Sequence, residues 1–384
     1  NGFFDLEKDQ EALKVYLEEI HDKMISFDDE IERLHYLVDN NFYFNVFEKY
    51  SEAELIEITE YAKSIHFQFA SYMSASKFYK DYALKTNDKT KFLEDYNQHV
   101  AIVALYLANG NVKQAKQFIS AMVEQRYQPA TPTFLNAGRA RRGELVSCFL
   151  LEVDDSLNSI NFIDSTAKQL SKIGGGVAIN LSKLRARGEA IKGIKGVAKG
   201  VLPVAKALEG GFSYADQLGQ RPGAGAVYLN IFHYDVEEFL DTKKVNADED
   251  LRLSTISTGL IVPSKFFDLA KEGKDFYMFA PHTVKQEYGV TLDDIDLEKY
   301  YDDMVANPNI DKKKKDAREM LNMIAQTQLQ SGYPYLMFKD NANKVHANSN
   351  IGQIKVSNLC TEIFQLQETS VINDYGIEDR SEER

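Results

Sequence analysis

Apolar positions recur at helical spacing from the first residues to about 126. "DQEALKVYLEEIHDKM" repeats them every three or four residues, which predicts an amphipathic helix. "SEAELIEITEYA" opens with Ser51 and Glu54 at capping-box spacing, where each side chain satisfies the other's backbone N–H. "DKTKFLEDYNQHVAIVALYLANG" predicts a helix stopping at Gly110, and "NVKQAKQFISAMVEQ" predicts one more. No strand pattern interrupts this stretch, so residues 1–126 are predicted to form a helical domain.

The pattern changes at "RYQPATPTFLNAGRARRG", whose prolines, glycines and polar residues predict a long loop. Beyond it, β-type runs alternate with helical ones. "ELVSCFLLEV", "GGGVAINLS", "AVYLNIFHY", "LRLSTISTGLIV" and "FYMFAP" are predicted strands. Helices are predicted after Asp155 and Ser156, near 197–216, in "DVEEFLDTKK" and in "PSKFFDLAKEG". Such alternation needs crossover connections, so residues 127–384 predict an α/β domain on a largely parallel sheet. Two further helices, near 294–306 and 313–331, lead to "YPYLMF". The basic run Lys312–Lys315, set between Asp311 and Asp316, is predicted to open the second of these as a solvated face.

Composition narrows the function classes. At 384 residues the chain is too long for one small core. A net charge of −13 argues against a nucleic-acid binder, which would carry a basic patch. The longest apolar run, Val100 to Ala108, is too short to span a bilayer, so no membrane partner is expected. The two cysteines, Cys148 and Cys360, form no CxxC, and the seven histidines never fall at metal-ligand spacing. No metal site is therefore expected, and so little sulfur fits a reducing, cytoplasmic location. The chain starts at Asn1 and ends in "IEDRSEER", and both ends are expected to be cuts in a longer polypeptide.

The densest chemistry lies in "KVSNLCTEIF". In an extended segment, Asn358, Cys360 and Glu362 would project to one face. A thiol can act as nucleophile or hydrogen-atom donor. A carboxylate can take a proton from a hydroxyl it touches, and an amide can hold that hydroxyl. A small buried cysteine on a half-buried strand accounts for the same letters.

"SNLCTEI" resembles the catalytic finger loop of the large subunit of class I ribonucleotide reductases. "QPATPTFLNAGRARRGELVSCFLLEVDDSL" resembles that family's first substrate and thiol segment. "QLSKIGGGVAINLSKLRARGEAIKG" resembles its glycine turn and first effector loop, and "YADQLGQRPGAGAVYLNIFHYDVEEFLDTKK" its second effector loop. The order and spacing also fit, over essentially the whole chain. The resemblance is closest to class Ib, which lacks an amino-terminal ATP-binding cone.

The resemblance implies radical reduction of ribonucleoside diphosphates at the 2′-carbon. Cys360 would carry a transient thiyl radical and take the 3′-hydrogen atom. Glu362 would remove the 3′-hydroxyl proton, and Asn358 would hydrogen-bond at the same ribose edge. Cys148 would be one of two thiols supplying the reducing electrons, its partner lying beyond Arg384. Substrate contacts would come from Thr131, Ser147, Cys148, Gly176 and the turn Asn358, Leu359, Cys360, Thr361 and Glu362. Asp155 and Arg185 would read a nucleoside triphosphate effector, although Asp155 also sits where a helix N-cap is expected. "GQRPGAGA", 219–226, would carry effector identity to the substrate.

The same resemblance implies that no cofactor binds this chain. The radical would come from a small subunit with a dimetal-tyrosyl centre, and a glutaredoxin- or thioredoxin-like protein would restore the thiols. The expected fold is a helical domain followed by the first half of a ten-stranded α/β barrel with its finger loop, homodimeric at full length. A half barrel leaves an uncovered edge, so the isolated fragment is expected to associate and to be inactive. Two other readings remain open at this point: a related cobalamin-dependent reductase, and a nucleotide-binding module without catalysis.

Overall fold

The computed structural model describes residues 6–215, 223–368 and 372. Contacts divide the chain into two compact units, Asn1–Val146 and Ser147–Arg384.

The first unit is helical. Its α-helices are Leu6–Asp22, Glu30–Asp39, Glu52–Ser64, Tyr72–Asp81, Tyr96–Ala108, Val112–Val123 and Thr131–Asn136. The Ser51–Glu54 capping box forms, with the Ser51 N–H donating to the Glu54 carboxylate at 2.8 Å. The helix expected up to Gly110 starts only at Tyr96. A second capping box fixes that start, because Asp95 accepts from the Gln98 N–H at 2.8 Å and Gln98 accepts in return at 2.9 Å. Asn109, in the left-handed region at φ 46°, ends it. This helix is buried along most of its length and is the centre of the core, against Leu34, Leu55, Ile58 and Ile119.

The unit ends after Val146, beyond the composition change at 126. Residues 127–145 fold back onto the helices because they carry their own anchors. Phe134 and Ala137 enter the helical core. The Phe44 N–H donates to Gly138 O, and the Ala140 N–H to Phe42 O, both at 3.0 Å.

The second unit is α/β. Strands β1 (Cys148–Glu152), β2 (Gly176–Asn180), β3 (Ala224–Asn230), β4 (Ser257–Val262), β5 (Asp275–Phe279), β6 (Lys312–Asp316) and β7 (Tyr335–Phe338) form two sheets. Five strands, in the order β1-β2-β3-β4-β7, pair in parallel throughout. Helices Leu157–Lys172, Leu202–Tyr214 and Val236–Asp241 lie between successive strands from β1 to β4.

The two faces of the parallel sheet differ. Val177, Ile179, Val227, Leu229, Leu260 and Val262 pack with Ile163, Leu208, Phe212 and Phe266 from the helices. Ala178, Ala226, Tyr228 and Ile261 face the other way and meet Met337, Ile354 and Val356. Both faces are covered, which is why these strands read as nearly unbroken apolar runs. The alanines leave room for a stretch of chain to lie against the sheet.

Two expectations are corrected. "FYMFAP" is a strand, but it lies outside the parallel sheet, and the fifth parallel strand is β7. The run Lys312–Lys315 is β6, antiparallel to β5, rather than a helix start. Its charges have partners in the fold: Lys313 and Lys315 pair with Glu237 at 3.3 and 2.9 Å, and Lys314 with Asp275 at 3.1 Å. The helix begins at Ala317, where Asp316 caps it by accepting from the Glu319 N–H at 2.9 Å.

Candidate functional site

The site joins the first residues of β1 and β2 to a turn at 357–364. Cys148 lies opposite Gly176 in the β1–β2 register, and the Gly176 N–H donates to Ser147 O at 2.5 Å. The turn is reached by a segment laid along the inner face of the sheet. Asn343 brackets Ile354, accepting from its N–H at 2.8 Å and donating to its carbonyl at 2.9 Å. Lys355 pairs with Asp294 at 2.8 Å. An antiparallel bridge from Ser357 to Phe364 closes the turn.

The extended geometry expected for 358–362 is corrected. The Thr361 N–H donates to Asn358 O at 3.2 Å, and Thr361 stands at φ +67°. A β-branched residue there costs on the order of 1–3 kcal/mol and persists only where its surroundings over-determine it. The reason is Asn358, which is fully buried. Its Oδ1 accepts from the N–H groups of Glu362 and Ile363, both at 2.9 Å. That amide organises the turn as an Asx residue does, so alternation along a strand is lost.

The same amide joins the chemical groups. Asn358 Nδ2 donates to Glu362 Oε1 at 2.7 Å and lies 3.4 Å from Cys148 Sγ. Asn358 thus touches both Cys148 and Glu362. Cys360 is exposed at the tip of the same turn. Leu359 packs on Gly176, where a Cβ would come within 2.9 Å of Leu359 Cδ2. A thiol that can exchange a hydrogen atom therefore shares one loop with a carboxylate that can accept a proton. Thr131 belongs to the helical unit, exposed at the start of Thr131–Asn136, with its hydroxyl 3.2 Å from that of Tyr82.

The two effector candidates meet each other. Asp155 Oδ1 accepts from the Arg185 N–H at 3.1 Å and Oδ2 from Arg185 Nε at 2.9 Å. Asp155 is not the N-cap of helix Leu157–Lys172. Ser156 takes that role, accepting from the Ser159 N–H at 3.1 Å, which leaves Asp155 to the guanidinium. Of "GQRPGAGA", residues 219–222 lie outside the described residues, and Ala224 begins β3.

The loop after Arg185 is held by Glu189. Its buried carboxylate accepts N–H bonds from Ala186 at 2.6 Å, Thr283 at 3.1 Å and His282 at 3.4 Å. Burial outweighs those bonds and, with the Asp155 charge nearby, pushes the acid up to about 7. A folded-state value above the unfolded one contributes stability below the unfolded value, near 4.5, and loses it as pH rises through 7. Stability is accordingly expected to fall by up to about 3 kcal/mol between pH 5 and pH 8 on account of this acid, and that part of the fall to be absent in Glu189→Gln. Thermal melts at the two pH values check this.

Sequence reasoning missed Tyr228, whose hydroxyl donates to Asn358 O in the turn at 2.8 Å, and Asn343 and Lys355, which fix the segment leading to it. Only Tyr228 carried a signal, as a phenol in a strand with alanine two positions away, whose hydroxyl needs a partner once buried. Among the described residues no group of three or more His, Cys, Asp or Glu side chains is placed to hold a metal. No helix among them is long and apolar enough to cross a membrane.

Residues 146–376 match the family model described as ribonucleotide reductase, barrel domain. Residues 68–142 match the all-alpha domain of the same enzymes and 1–67 their N-terminal model. The chain is 52% identical over 381 residues to the ribonucleoside-diphosphate reductase subunit alpha of Bacillus subtilis (strain 168), covering 99% of this chain and 54% of that protein. It is 44% identical over 363 residues to the subunit alpha of Mycoplasma pneumoniae, covering 94% and 50%, and 31% identical over 325 residues to that of Treponema pallidum, covering 82% and 38%. The chain therefore spans about half the length, or less, of these curated relatives.

Proposed function

Since the chain belongs to the ribonucleotide reductase large-subunit family, we propose that it supplies part of a catalytic subunit reducing ribonucleoside diphosphates to 2′-deoxyribonucleoside diphosphates. The observation that carries this reading is a single amide joining two of the groups in the turn that presents the third: Asn358 contacts the Glu362 carboxylate at 2.7 Å and the Cys148 sulfur at 3.4 Å, and Cys360 is exposed two residues on.

Each group has a place in the reaction. Cys360, as a thiyl, takes the 3′-hydrogen atom, forming S–H and leaving a carbon radical. Glu362 accepts the 3′-hydroxyl proton, and the 2′-hydroxyl departs as water. Replacing C–OH by C–H consumes two electrons and two protons, which a dithiol provides on closing to a disulfide. Cys148 is one of those thiols. The other comes from outside these residues, because Cys360 is otherwise engaged. Ser147 and Gly176, bonded to each other at the strand ends, border the turn on the side where the substrate would lie.

The radical is supplied by a separate small subunit with a dimetal-tyrosyl centre, and a glutaredoxin- or thioredoxin-like protein re-reduces the thiols. Asp155 and Arg185 belong to a nucleoside triphosphate effector site, in a homodimeric, cytoplasmic enzyme. Turnover is the direct test. With its radical-supplying partner and a dithiol, the complete polypeptide is expected to form deoxynucleoside diphosphate. No product while the partner's radical is intact would overturn the proposal.

A further inference from the structure

We infer that Tyr228 is the positioning residue for Cys360, holding the turn through its phenol hydroxyl; this rests on reading Cys360 as the reacting thiol. The hydroxyl donates to Asn358 O at 2.8 Å and lies 2.7 Å from Thr361 Oγ1. These two atoms flank the cysteine on either side. One is the carbonyl that receives the turn's closing N–H bond, and the other belongs to the residue in the left-handed region.

The anchor itself is rigid. Tyr228 is fully buried in the middle of β3. It lies opposite Gly259 in the β3–β4 register, and a Cβ on Gly259 would collide with the tyrosine ring. The glycine is therefore the socket for the ring, and the ring's position sets the hydroxyl's. On the other side of the cysteine, Leu359 is seated on Gly176. Both neighbours of Cys360 are tied to central strands while the cysteine itself is exposed. Reaction between a thiyl and a sugar hydrogen needs a fixed approach, and small misplacements are costly in rate. A buried tyrosine that needed only one acceptor would be satisfied by one carbonyl. This one spans the turn.

The test uses the complete polypeptide with its radical-supplying partner. Tyr228→Phe removes one oxygen and keeps the ring. Its kcat is expected to fall about tenfold or more, with the KM for ribonucleoside diphosphate unchanged within about twofold. Thr361→Asn, added to that variant, is expected to recover part of the loss, because asparagine adopts the left-handed backbone more readily than threonine. Wild-type kcat in Tyr228→Phe would overturn the inference and leave the assignment of Cys360 standing. A loss confined to KM, or one that Thr361→Asn does not relieve, would give the phenol a purely structural part and overturn it too. Turnover by Cys360→Ser would overturn the assignment of Cys360 itself.

Discussion

Replacing Cys360 by serine is expected to abolish deoxynucleotide formation in the complete polypeptide, by at least about 10³-fold. The oxygen fits the same space, so sterics are not at issue. What changes is the X–H bond: an alkoxyl is far harder to generate than a thiyl, and a hydroxyl cannot serve as the hydrogen-atom carrier. Folding should be indifferent, because the side chain is exposed at the tip of a turn held by its neighbours. An exposed substitution of this kind stays within about 0.5 kcal/mol. The measurement is turnover together with a thermal melt. Lost activity with an unchanged melt is the expected pair, and an active serine variant would remove the thiol from the chemistry.

The largest expected loss of stability lies in the helical unit. Glu94 is fully buried, as is His99. The Glu94 carboxylate accepts from the Leu84 N–H at 2.8 Å, contacts His99 Nδ1 at 2.7 Å and Arg139 at 2.5 Å, and takes the Tyr43 hydroxyl as well. Despite burial, which alone would raise it, the arginine and histidine hold this acid far below the usual carboxylate range. Glu94→Ala would leave a buried guanidinium and a phenol without their acceptor. Removing one partner of a buried pair costs about 3–5 kcal/mol, which lowers the melting temperature by on the order of 10 °C. Removing Arg139 as well, in Glu94→Ala/Arg139→Met, should cost less than the sum of the two single changes. Strict additivity in that cycle would show that the two charges are not coupled. The network reaches the candidate substrate segment too, because His99 Nε2 meets Phe134 O at 2.7 Å within the helix that begins at Thr131.

Local signals were legible where the physics is local. The capping residues Ser51 and Glu54 and the parallel strands "GGGVAINLS" and "AVYLNIFHY" followed from spacing alone. What failed depended on partners distant in sequence. Four lysines in a row form a strand because Glu237 and Asp275 await three of their ammonium groups, and no window around 312 contains Glu237. Asn358, Cys360 and Glu362 alternate as a strand would, yet form a turn, because a buried amide accepting two backbone N–H groups is equally compatible with those letters. What each of these three side chains is chemically capable of was readable from its type. The tyrosine that holds them was not, since its target lies 130 positions away.

The bond between Asn358 and Cys148 spans 210 positions. Closing so long a loop is slow and is rewarded only at the end, because its entropy must be overcome before the contact forms. Strand β7 pairs with β4 across the intervening helices and the antiparallel β5–β6 pair, and the turn follows β7 along the chain. The turn that carries Asn358 is thus expected to be among the last parts to form during folding. Until then Ala178, Ala226 and Ile261 lack the cover of Ile354 and Val356, so a chaperone that binds apolar surface is expected to have its longest opportunity on that face.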